Sequence, residues 1–323
     1  MKIEIRKITQ FELSTMMLQV AAQEGWLYSE EDVEFYYNLK QNNIFVVLID
    51  EQIAGCMLLH RAGTDSSKNN LCSIGLFLVK PIFRNLKIAG SPLWAYAIAQ
   101  LEQDYSLSLN SVPSIIGLYE KKGFYSTEIT TSHYTLTEKT YLPSNGIYSI
   151  KEIELLTLGN IDCLVDFNSN LYQENLSLVC ELLNQWNNRQ DAKILVYKEN
   201  QKVKGYGVLT ICHRETNEGE PQLSWRISPL YAQEPLIAKK LLQAILSYVF
   251  SNRGTRVEIN STQSENSSFA QTMCHFGFKK TGETLLMLQQ KLYFSYVPKP
   301  KLAEIYATLP LEYPHEALTL SPY

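Results

Sequence analysis

Residues 77–94 read Phe-Leu-Val-Lys-Pro-Ile-Phe-Arg-Asn-Leu-Lys-Ile-Ala-Gly-Ser-Pro-Leu-Trp. The stretch begins as a strand, passes through a short loop and enters a helix, which is the local pattern of a mixed α/β fold. The loop carries three basic side chains: Lys80, Arg84 and Lys87. It is therefore the best candidate in the chain for an anion-binding site.

Pro92 limits where the helix can begin. Proline lacks a backbone N–H and is accepted only within about the first four helix positions, so the helix is expected to start near Ile88 or Ala89. The first N–H groups of the helix then point into the loop, where the positive end of the helix dipole meets the cations. This arrangement suits a phosphate or pyrophosphate. A strand-to-helix turn whose cations face only water fits the residues equally well.

The composition is typical of a folded protein with about two domains. The chain has 323 residues, 45% of them hydrophobic, and a domain usually takes about 100–200 residues. Lys and Arg number 29 against 33 acidic residues, a formal charge of -4, so we expect neither nucleic acid nor a membrane as a partner. The start of the chain lacks the apolar core of a signal peptide. A cytoplasmic location is expected.

The six cysteines are scattered along the chain. None of their spacings matches a zinc or redox motif, so we expect all six to be buried and reduced. No two of the five histidines stand at metal-ligand spacing. No metal is predicted.

Hydrophobic periodicity predicts the element order βααβββαβαββ for the first half of the chain. Its last two strands are expected at 124–130 and 133–137. Residues 141–146 read as a linker, and a similar order then begins again and ends in two strands near 278–281 and 284–290. The predicted fold class is α/β, an α+β arrangement with a mixed sheet that is built twice.

Three landmarks support a duplicated chain. They are, with their offsets in residues, Gly55 and Gly205 (150), Pro81 and Pro229 (148), and Gly123 and Gly277 (154). Landmarks that recur in the same order at a nearly constant offset indicate an internal repeat.

Two motifs resemble the signatures of the GNAT superfamily of N-acetyltransferases. Val79-Lys-Pro-Ile-Phe-Arg84, with a Leu-Trp pair in the following helix, resembles the coenzyme A loop of that family. Tyr119-Glu-Lys-Lys-Gly-Phe124 resembles its second signature. The segments 24–26 and 228–232 are similar to a group of two-domain bacterial GNAT proteins.

The resemblance implies two tandem GNAT-like domains. Each would be a mostly antiparallel, twisted sheet with a splayed central strand pair flanked by helices. The expected bounds are 1–140 for the domain with the acetyl-coenzyme A loop, 147–292 for the second domain, and 293–323 for a C-terminal tail that packs on the domains.

The resemblance also implies a coenzyme A site in the first domain. The pantetheine arm would pair with main-chain groups of the fourth strand, and the pyrophosphate would lie on the loop and the helix start. The implied cofactor-binding residues are Phe77, Leu78, Val79, Arg84, Asn85, Leu86, Lys87, Ile88, Ala89, Gly90 and Ser91. Lys87 stands where the family has glycine, so its side chain must point away or contact the phosphate itself.

Three residues are implied in catalysis or acceptor binding. Tyr119 takes the position of the acid that protonates the leaving thiol, with a packing tyrosine as the alternative. Glu24 would act as the base through water, although a solvent-facing carboxylate at a helix end is the commoner arrangement. Trp26 would form a wall of the acceptor pocket. The acidic run 30–34 either attracts a cationic amine or, more simply, favours the start of the second helix.

The second domain lacks the corresponding chemistry. Glu234 precedes its helix where the first domain has cations, and a carboxylate there repels a phosphate. Met273 stands where the first domain has Tyr119. Only the first domain is expected to bind acetyl-coenzyme A. The second would support the first or line the acceptor site, and three candidates for that role, which more simply belong to the core or the surface, are Trp225, Tyr231 and His275.

The function implied by the resemblance is transfer of an acetyl or short acyl group from coenzyme A to a primary amine by direct attack. The acceptor would be a small-molecule amine or a protein amine. The alternative is a degenerate GNAT protein that binds coenzyme A or another ligand without catalysis. The sequence leaves the acceptor and the oligomeric state open.

Overall fold

The computed structural model of the chain describes residues 1–62, 71–84, 86–101, 105–137, 152–156, 161–171, 176–215, 222–289, 294–298, 305–308 and 318–322. The strands of the first half, β1 to β6, are Ile3–Lys7, Asn42–Ile49, Gln52–Ala62, Leu71–Val79, Ser106–Ser111 and Tyr125–Leu136. Its helices, α1 to α4, are Gln10–Thr15, Glu30–Asn38, Gly90–Ala99 and Ile116–Glu120. Helix α1 continues as a π-helical segment, Met16–Ala21.

The second half repeats this order of elements. Its strands, β7 to β12, are Ile153–Leu155, Lys193–Glu199, Lys202–Glu215, Gln222–Ala232, Gly254–Ser261 and Lys279–Gln289. Its helices, α5 to α8, are Asp162–Leu171, Leu176–Asn188, Pro235–Ser251 and Ser268–His275. Three further strands follow, β13 to β15: Phe294–Pro298, Ile305–Ala307 and Leu318–Pro322. The linker predicted at 141–146 lies outside the described residues.

One continuous sheet runs through both halves. Its strand order is β1-β2-β3-β4-β5-β12-β6-β11-β10-β9-β8-β7, with β14 beside β10. Strands β4 and β5 run parallel, as do β10 and β11, and the other neighbours in this order run antiparallel. The order is symmetric. Strands β1 to β5 follow one another inward from one edge of the sheet, and β7 to β11 follow one another inward from the other edge. The predicted mixed, mostly antiparallel α/β fold is confirmed.

The two central strands are exchanged between the halves. Strand β12 of the second half pairs with β5 of the first, and β6 of the first half pairs with β11 of the second. The two strands also pair with each other from Lys279 to Leu288 of β12. The prediction of two short strands at the end of each half is therefore wrong. Each half ends in one long strand, and both ladder partners of that strand belong to the other half.

Two of the three landmark pairs of the repeat occupy equivalent positions in the two halves of the structure. Gly123 and Gly277 both have left-handed backbone after a helix, with φ of 88° and 91°. At Gly55 and Gly205, a Cβ would come within 2.6 and 2.7 Å of a carbonyl oxygen in the neighbouring strand, so neither position accepts a side chain. The prediction that the third pair is equivalent is wrong, because Pro81 follows β4 whereas Pro229 lies inside β10.

The halves also share a hydrophobic core. One buried cluster contains residues of α1 and α2 together with residues of α5 and α6. Within it the rings of Phe35 and Trp186 stack with centroids 6.1 Å apart. The two halves are thus joined by packing as well as by the sheet.

The cysteines are free, and three of them, Cys56, Cys72 and Cys212, are buried. Burial raises the pKa of the Cys56 thiol to about 12, which keeps it protonated and unreactive. The expectation that all six are buried is wrong for Cys274, which is exposed, and for Cys163 and Cys180, which are half-buried. Helix α8 buries Phe269, Ala270 and Met273, so the next residue falls on its outer face.

Candidate active site

The parallel strands β4 and β5 pair only at their beginnings. Their ladder joins Leu71–Ile74 to Ser106–Leu109, whereas β4 runs on to Val79 and β5 to Ser111. Leu76, just past the last pair, has left-handed backbone with φ of 45°. We call the gap between the two strand ends the first wedge. No described strand fills it, so the main chain of β4 is available there to pair with a ligand.

The loop after β4 leads from the first wedge into a helix. It begins with a 3₁₀ turn, Pro81–Phe83, and α3 begins at Gly90 with Pro92 as its third residue, close to the predicted start. The N–H groups of Gly90 and Ser91 have no partner within the helix. The loop residues Leu86 and Lys87 are exposed, Ile88 is half-buried and Ala89 is buried. Asn85 lies outside the described residues.

Lys87 has an unusual backbone conformation. Its φ is 55°, in the left-handed region that costs a residue with a Cβ about 1–2 kcal/mol relative to the right-handed form. Its side chain is exposed. The loop therefore carries a cation at a position where glycine would be relaxed.

Arg84 is held by two partners. Its Nε donates to the carbonyl oxygen of Val79 at 2.8 Å, and its Nη2 forms an ion pair with Oε1 of Glu24. The side chains of Arg84 and Glu24 are 40% and 35% exposed. The cation predicted to bind phosphate and the carboxylate predicted to act as the base are thus paired with each other.

Tyr119 lies in a cluster of aromatic side chains beside β4, one of the two strands that border the first wedge. The ring centroid of Trp94 is 5.5 Å from that of Phe77 and 6.0 Å from those of Tyr119 and Phe124. Burial raises the pKa of Tyr119 to about 12. No hydrogen bond or ring contact between described residues joins Tyr119 to Glu24, so the structure does not bring the two predicted catalytic residues into contact.

The backbone at Tyr119 closes the end of helix α4. The N–H of Phe124 donates to the carbonyl oxygen of Tyr119 at 3.1 Å across the left-handed Gly123, which is a Schellman cap. In the second half the N–H of Phe278 donates to the carbonyl oxygen of Met273 at 3.0 Å. Met273 is therefore the structural equivalent of Tyr119, and it has no hydroxyl.

Residues 22–29 connect the helices that begin the first half, and they are fixed by the second half. Trp26 in this connection is 39% exposed. Arg226 of β10 donates from Nη2 to the carbonyl oxygen of Leu27. Its guanidinium carbon lies 5.3 Å from the ring centroid of Tyr28. The connection that carries Glu24 and Trp26 is thus anchored at its far end.

Asp32 lies at the centre of a buried ion-pair cluster between the halves. Its Oδ1 is 2.9 Å from Nη1 of Arg189, and its Oδ2 is 3.3 Å from Nη1 of Arg226. Arg189 also donates two hydrogen bonds to Asp191, at 3.0 and 2.8 Å. The side chain of Asp32 is 4% exposed and that of Arg189 is 8% exposed. Each buried charge in the cluster therefore has a partner, as burial requires.

The acidic run 30–34 supports the start of α2, as the simpler interpretation expected. Ser29 Oγ accepts from the N–H of Asp32, and Asp32 Oδ2 accepts from the N–H of Ser29, at 3.2 and 3.1 Å. Glu31 also forms a two-bond ion pair with Arg214 of β9, at 2.6 and 2.8 Å. The carboxylates of Glu31 and Asp32 are thus engaged with arginines of the second half.

These arginines are not among the residues predicted to be functional. The sequence carries one signal for them, because Arg226 stands between Trp225 and Ile227 in an apolar strand. A guanidinium buried in such a strand requires a carboxylate partner. The partner is distant in sequence, so the pair could not be assigned without the structure.

The second half has an equivalent gap, which we call the second wedge. The ladder between β10 and β11 ends at Ile227 and Ile259. Beyond this point β14 pairs with β10, joining Leu230 to Ala307 and Tyr231 to Ile305. Residues 305–307 are at most 3% exposed. The C-terminal segment therefore occupies the second wedge.

Hydrogen bonds fix β14 to both sides of the second wedge. Thr308 donates from its backbone to the carbonyl oxygen of Asn260 at 2.9 Å. Ser228 Oγ donates to the carbonyl oxygen of Thr308 at 2.7 Å, and Gln263 Nε2 donates to that of Ile305 at 2.7 Å. The main chain of residues 305–308 is thus bonded to one main-chain oxygen and two side-chain donors of the second wedge.

The second half also lacks a loop at its strand-to-helix junction. Strand β10 ends at Ala232 and α7 begins at Pro235, so Gln233 and Glu234 are the whole connection. The corresponding connection in the first half spans residues 80–89. The described connection between β10 and α7 is thus too short for cations to surround a phosphate there.

The three residues suggested as lining an acceptor site from the second half belong elsewhere. Trp225 and Tyr231 are buried, at 3% and 1% exposed, against Tyr248 and Tyr206. His275 is exposed at the end of α8. All three follow the simpler interpretation as core or surface residues.

The described part of the chain contains no group of three or more His, Cys, Asp or Glu side chains arranged to hold a metal ion. None of its helices is long and apolar enough to cross a membrane.

Comparisons with known proteins agree with the duplicated architecture. Family models of the acetyltransferase (GNAT) domain match twice, over residues 19–134 and over residues 180–295. An uncharacterised protein of Caenorhabditis elegans is 26% identical over 186 residues, which are 56% of this chain and 56% of that protein. The chain thus spans about half the length of this curated relative.

Solved structures share the fold over most of the chain. A Pyrococcus horikoshii protein assigned as an acetyltransferase aligns with a TM-score of 0.67 at 17% identity, covering 96% of this chain and 95% of that one. A tandem GNAT protein from the clavulanic acid biosynthesis pathway aligns with a TM-score of 0.64 at 16% identity, covering 89% and 98%. With two matching domain models over most of its length, the chain belongs to the GNAT acetyltransferases as a member with two such domains in tandem.

Proposed function

We propose that the protein transfers an acetyl or short acyl group from coenzyme A to a primary amine, and that only its first half binds coenzyme A. The observation that carries this proposal is the contrast between the two wedges. The first has a free β4 edge and a ten-residue basic loop, residues 80–89, whereas the second is filled by β14 and has a two-residue connection. Acetyl-coenzyme A, when bound, supplies an activated thioester.

The groups of the first wedge fit such a ligand. The main chain of Phe77, Leu78 and Val79 would pair with the pantetheine amides. The free N–H groups of Gly90 and Ser91 with the exposed cation of Lys87 suit a pyrophosphate. The free edge of β4 is followed directly by the positively charged loop and helix start. In coenzyme A the pantetheine arm is likewise followed directly by the pyrophosphate.

Tyr119 is assigned to the sulfur side of the reaction. Acetyl transfer forms a C–N bond and breaks a C–S bond, and one proton passes from nitrogen to sulfur. With its pKa raised to about 12, the phenol is a weaker acid than a thiol, whose pKa is about 8.5. We therefore assign its Oη as a hydrogen-bond donor that holds its proton beside the leaving sulfur.

Glu24 is assigned to the amine side. A carboxylate partly open to solvent can take a proton from a bound ammonium group through water. Trp26, in the same connection and 39% exposed, would form the apolar wall of the acceptor pocket. The acceptor is a small-molecule or protein amine, and the free cysteines suit a reducing, cytoplasmic compartment.

The test is calorimetric titration of the full chain with acetyl-coenzyme A. We expect one bound equivalent, lost in Arg84→Glu. Lys204→Glu is the matched control, because it makes the same kind of charge reversal beside the start of α7 and should leave binding unchanged. Failure of the wild type to bind would reject the proposal, and two equivalents would reject its restriction to the first half.

Turnover is tested separately by release of free thiol from acetyl-coenzyme A with a polyamine, an amino sugar, an amino acid and a peptide with a free N-terminus. A degenerate, non-catalytic binding module is the alternative function. It is favoured by the engagement of Arg84 with Glu24 and Val79. Binding without thiol release for any of the four amines would support that alternative.

A further inference from the structure

Arg84 and Glu24 form an ion pair. This ion pair must break if Arg84 is to bind phosphate and Glu24 is to act on the amine. Arg84 lies in the loop that would bind the cofactor phosphate, and Glu24 lies in the connection before α2 that would bind the amine. Both side chains are partly exposed, so neither is locked in place by packing. A phosphate forms the same charge-assisted, often two-bond interaction with a guanidinium as a carboxylate does, so it can take the place of Glu24.

We propose that Glu24 and the phosphates of coenzyme A compete for Arg84, so that Glu24 is released from its ion pair and can meet the acceptor amine only after coenzyme A has bound. This inference rests on the proposed function. In the free protein the guanidinium neutralises the carboxylate and also covers the carbonyl oxygen of Val79. When phosphate takes the guanidinium, the carboxylate loses its counter-ion and the Val79 carbonyl loses its donor.

Two consequences follow for the protein's own groups. The carbonyl oxygen at the end of β4 becomes free to pair with an extended ligand. The Glu24 carboxylate becomes free to contact the ammonium group of the acceptor. Binding of the cofactor therefore prepares the amine side of the site, and the acceptor is expected to react only from the cofactor-bound protein.

The test measures the affinity of the full chain for coenzyme A by calorimetry. Glu24→Gln removes the competitor, and we expect coenzyme A to bind about two- to fivefold more tightly, the range of an exposed ion pair. Glu34→Gln is the matched control, since it removes the charge of an exposed carboxylate on α2 and should give no such gain. In the Arg84→Gln background, Glu24→Gln should also give no gain.

An unchanged dissociation constant in Glu24→Gln, or an equal gain in the Arg84→Gln background, would overturn the inference while leaving the proposed function standing. Failure of the wild type to bind coenzyme A would overturn both.

Discussion

Tyr119 makes ring contacts with Trp94 and Phe124, and its backbone carbonyl caps α4. Phenylalanine would keep the rings packed and the cap intact. We therefore expect Tyr119→Phe to lower the rate of acetyl transfer by about 10²-fold or more with little change in coenzyme A affinity. Tyr125→Phe, at an exposed tyrosine on β6, is the control and should have the wild-type rate.

The pH dependence separates a donor that keeps its proton from a group that loses its proton near neutral pH. Because burial raises the pKa of Tyr119 to about 12, the phenol stays protonated at neutral pH and is only about a tenth ionised at pH 11. Loss of this group to ionisation is therefore not expected below about pH 11. A wild-type alkaline limb near pH 9 that disappears in Tyr119→Phe would contradict the assignment.

Lys87 combines a strained backbone with an exposed charge. In Lys87→Gly the strain is relieved, and we expect the free energy of unfolding to rise by about 1 kcal/mol. The same change should weaken coenzyme A binding by about three- to tenfold, because a cation is lost beside the phosphate. Urea unfolding and calorimetry measure the two effects.

The control for Lys87 is Lys87→Gln, which removes the charge but keeps a side chain in the left-handed region. It should weaken binding to a similar extent without the gain in stability. If Lys87→Gly bound coenzyme A as tightly as the wild type, the lysine would have no part in binding.

At the scale of elements, the connection between the first two helices is held against β10 by Arg226. Arg226→Met leaves Asp32 with one cation fewer in a buried site, and losing one partner of a buried pair costs about 3–5 kcal/mol. We expect a decrease of that size in the free energy of unfolding, measured in urea. Faster hydrogen exchange in residues 22–29 should accompany it.

Arg256→Met is the matched control for Arg226. Arg256 lies on the neighbouring strand β11 and pairs with Glu258, but its side chain is 37% exposed. An exposed pair contributes about 1 kcal/mol or less, so the control should be nearly as stable as the wild type. Equal losses in the two variants would show that the buried cluster has no special role.

Local patterns predicted the elements, whereas the choice of partners required the structure. Pro92 predicts the start of α3, and the Gly123–Gly277 pair predicts the repeat, because both depend on residues close together in sequence. The exchange of β6 and β12 is not predicted, because strand pairing depends on contacts between residues about 150 positions apart. Likewise, the composition of residues 305–307 predicts a segment that packs against the protein, but it does not predict that the segment binds in the second wedge.

At the scale of the whole molecule, neither half contains all the strands that its sheet needs. Without the second half, β5 loses its partner β12 and the buried face of α1 and α2 loses Trp186 and its neighbours. We expect residues 1–140 and residues 147–323 to be insoluble or unfolded when expressed separately. Circular dichroism and size-exclusion chromatography measure this.

Co-expression of the two pieces provides the contrasting case. Together they supply every strand of the central sheet, so we expect a one-to-one complex with native-like helix and strand content. A folded, monomeric first half that binds coenzyme A alone would show that the exchange is not required for stability.

The strand exchange also bears on ancestry. Two copies of a half-length protein that traded their last strands would give the same strand order, which makes this chain the fused counterpart of a domain-swapped homodimer. After fusion the copies no longer need identical sequences, so one cleft can lose its ligand and be sealed by a later extension of the chain. Half-length relatives descended from that ancestor are therefore expected to form symmetric dimers with two equal clefts.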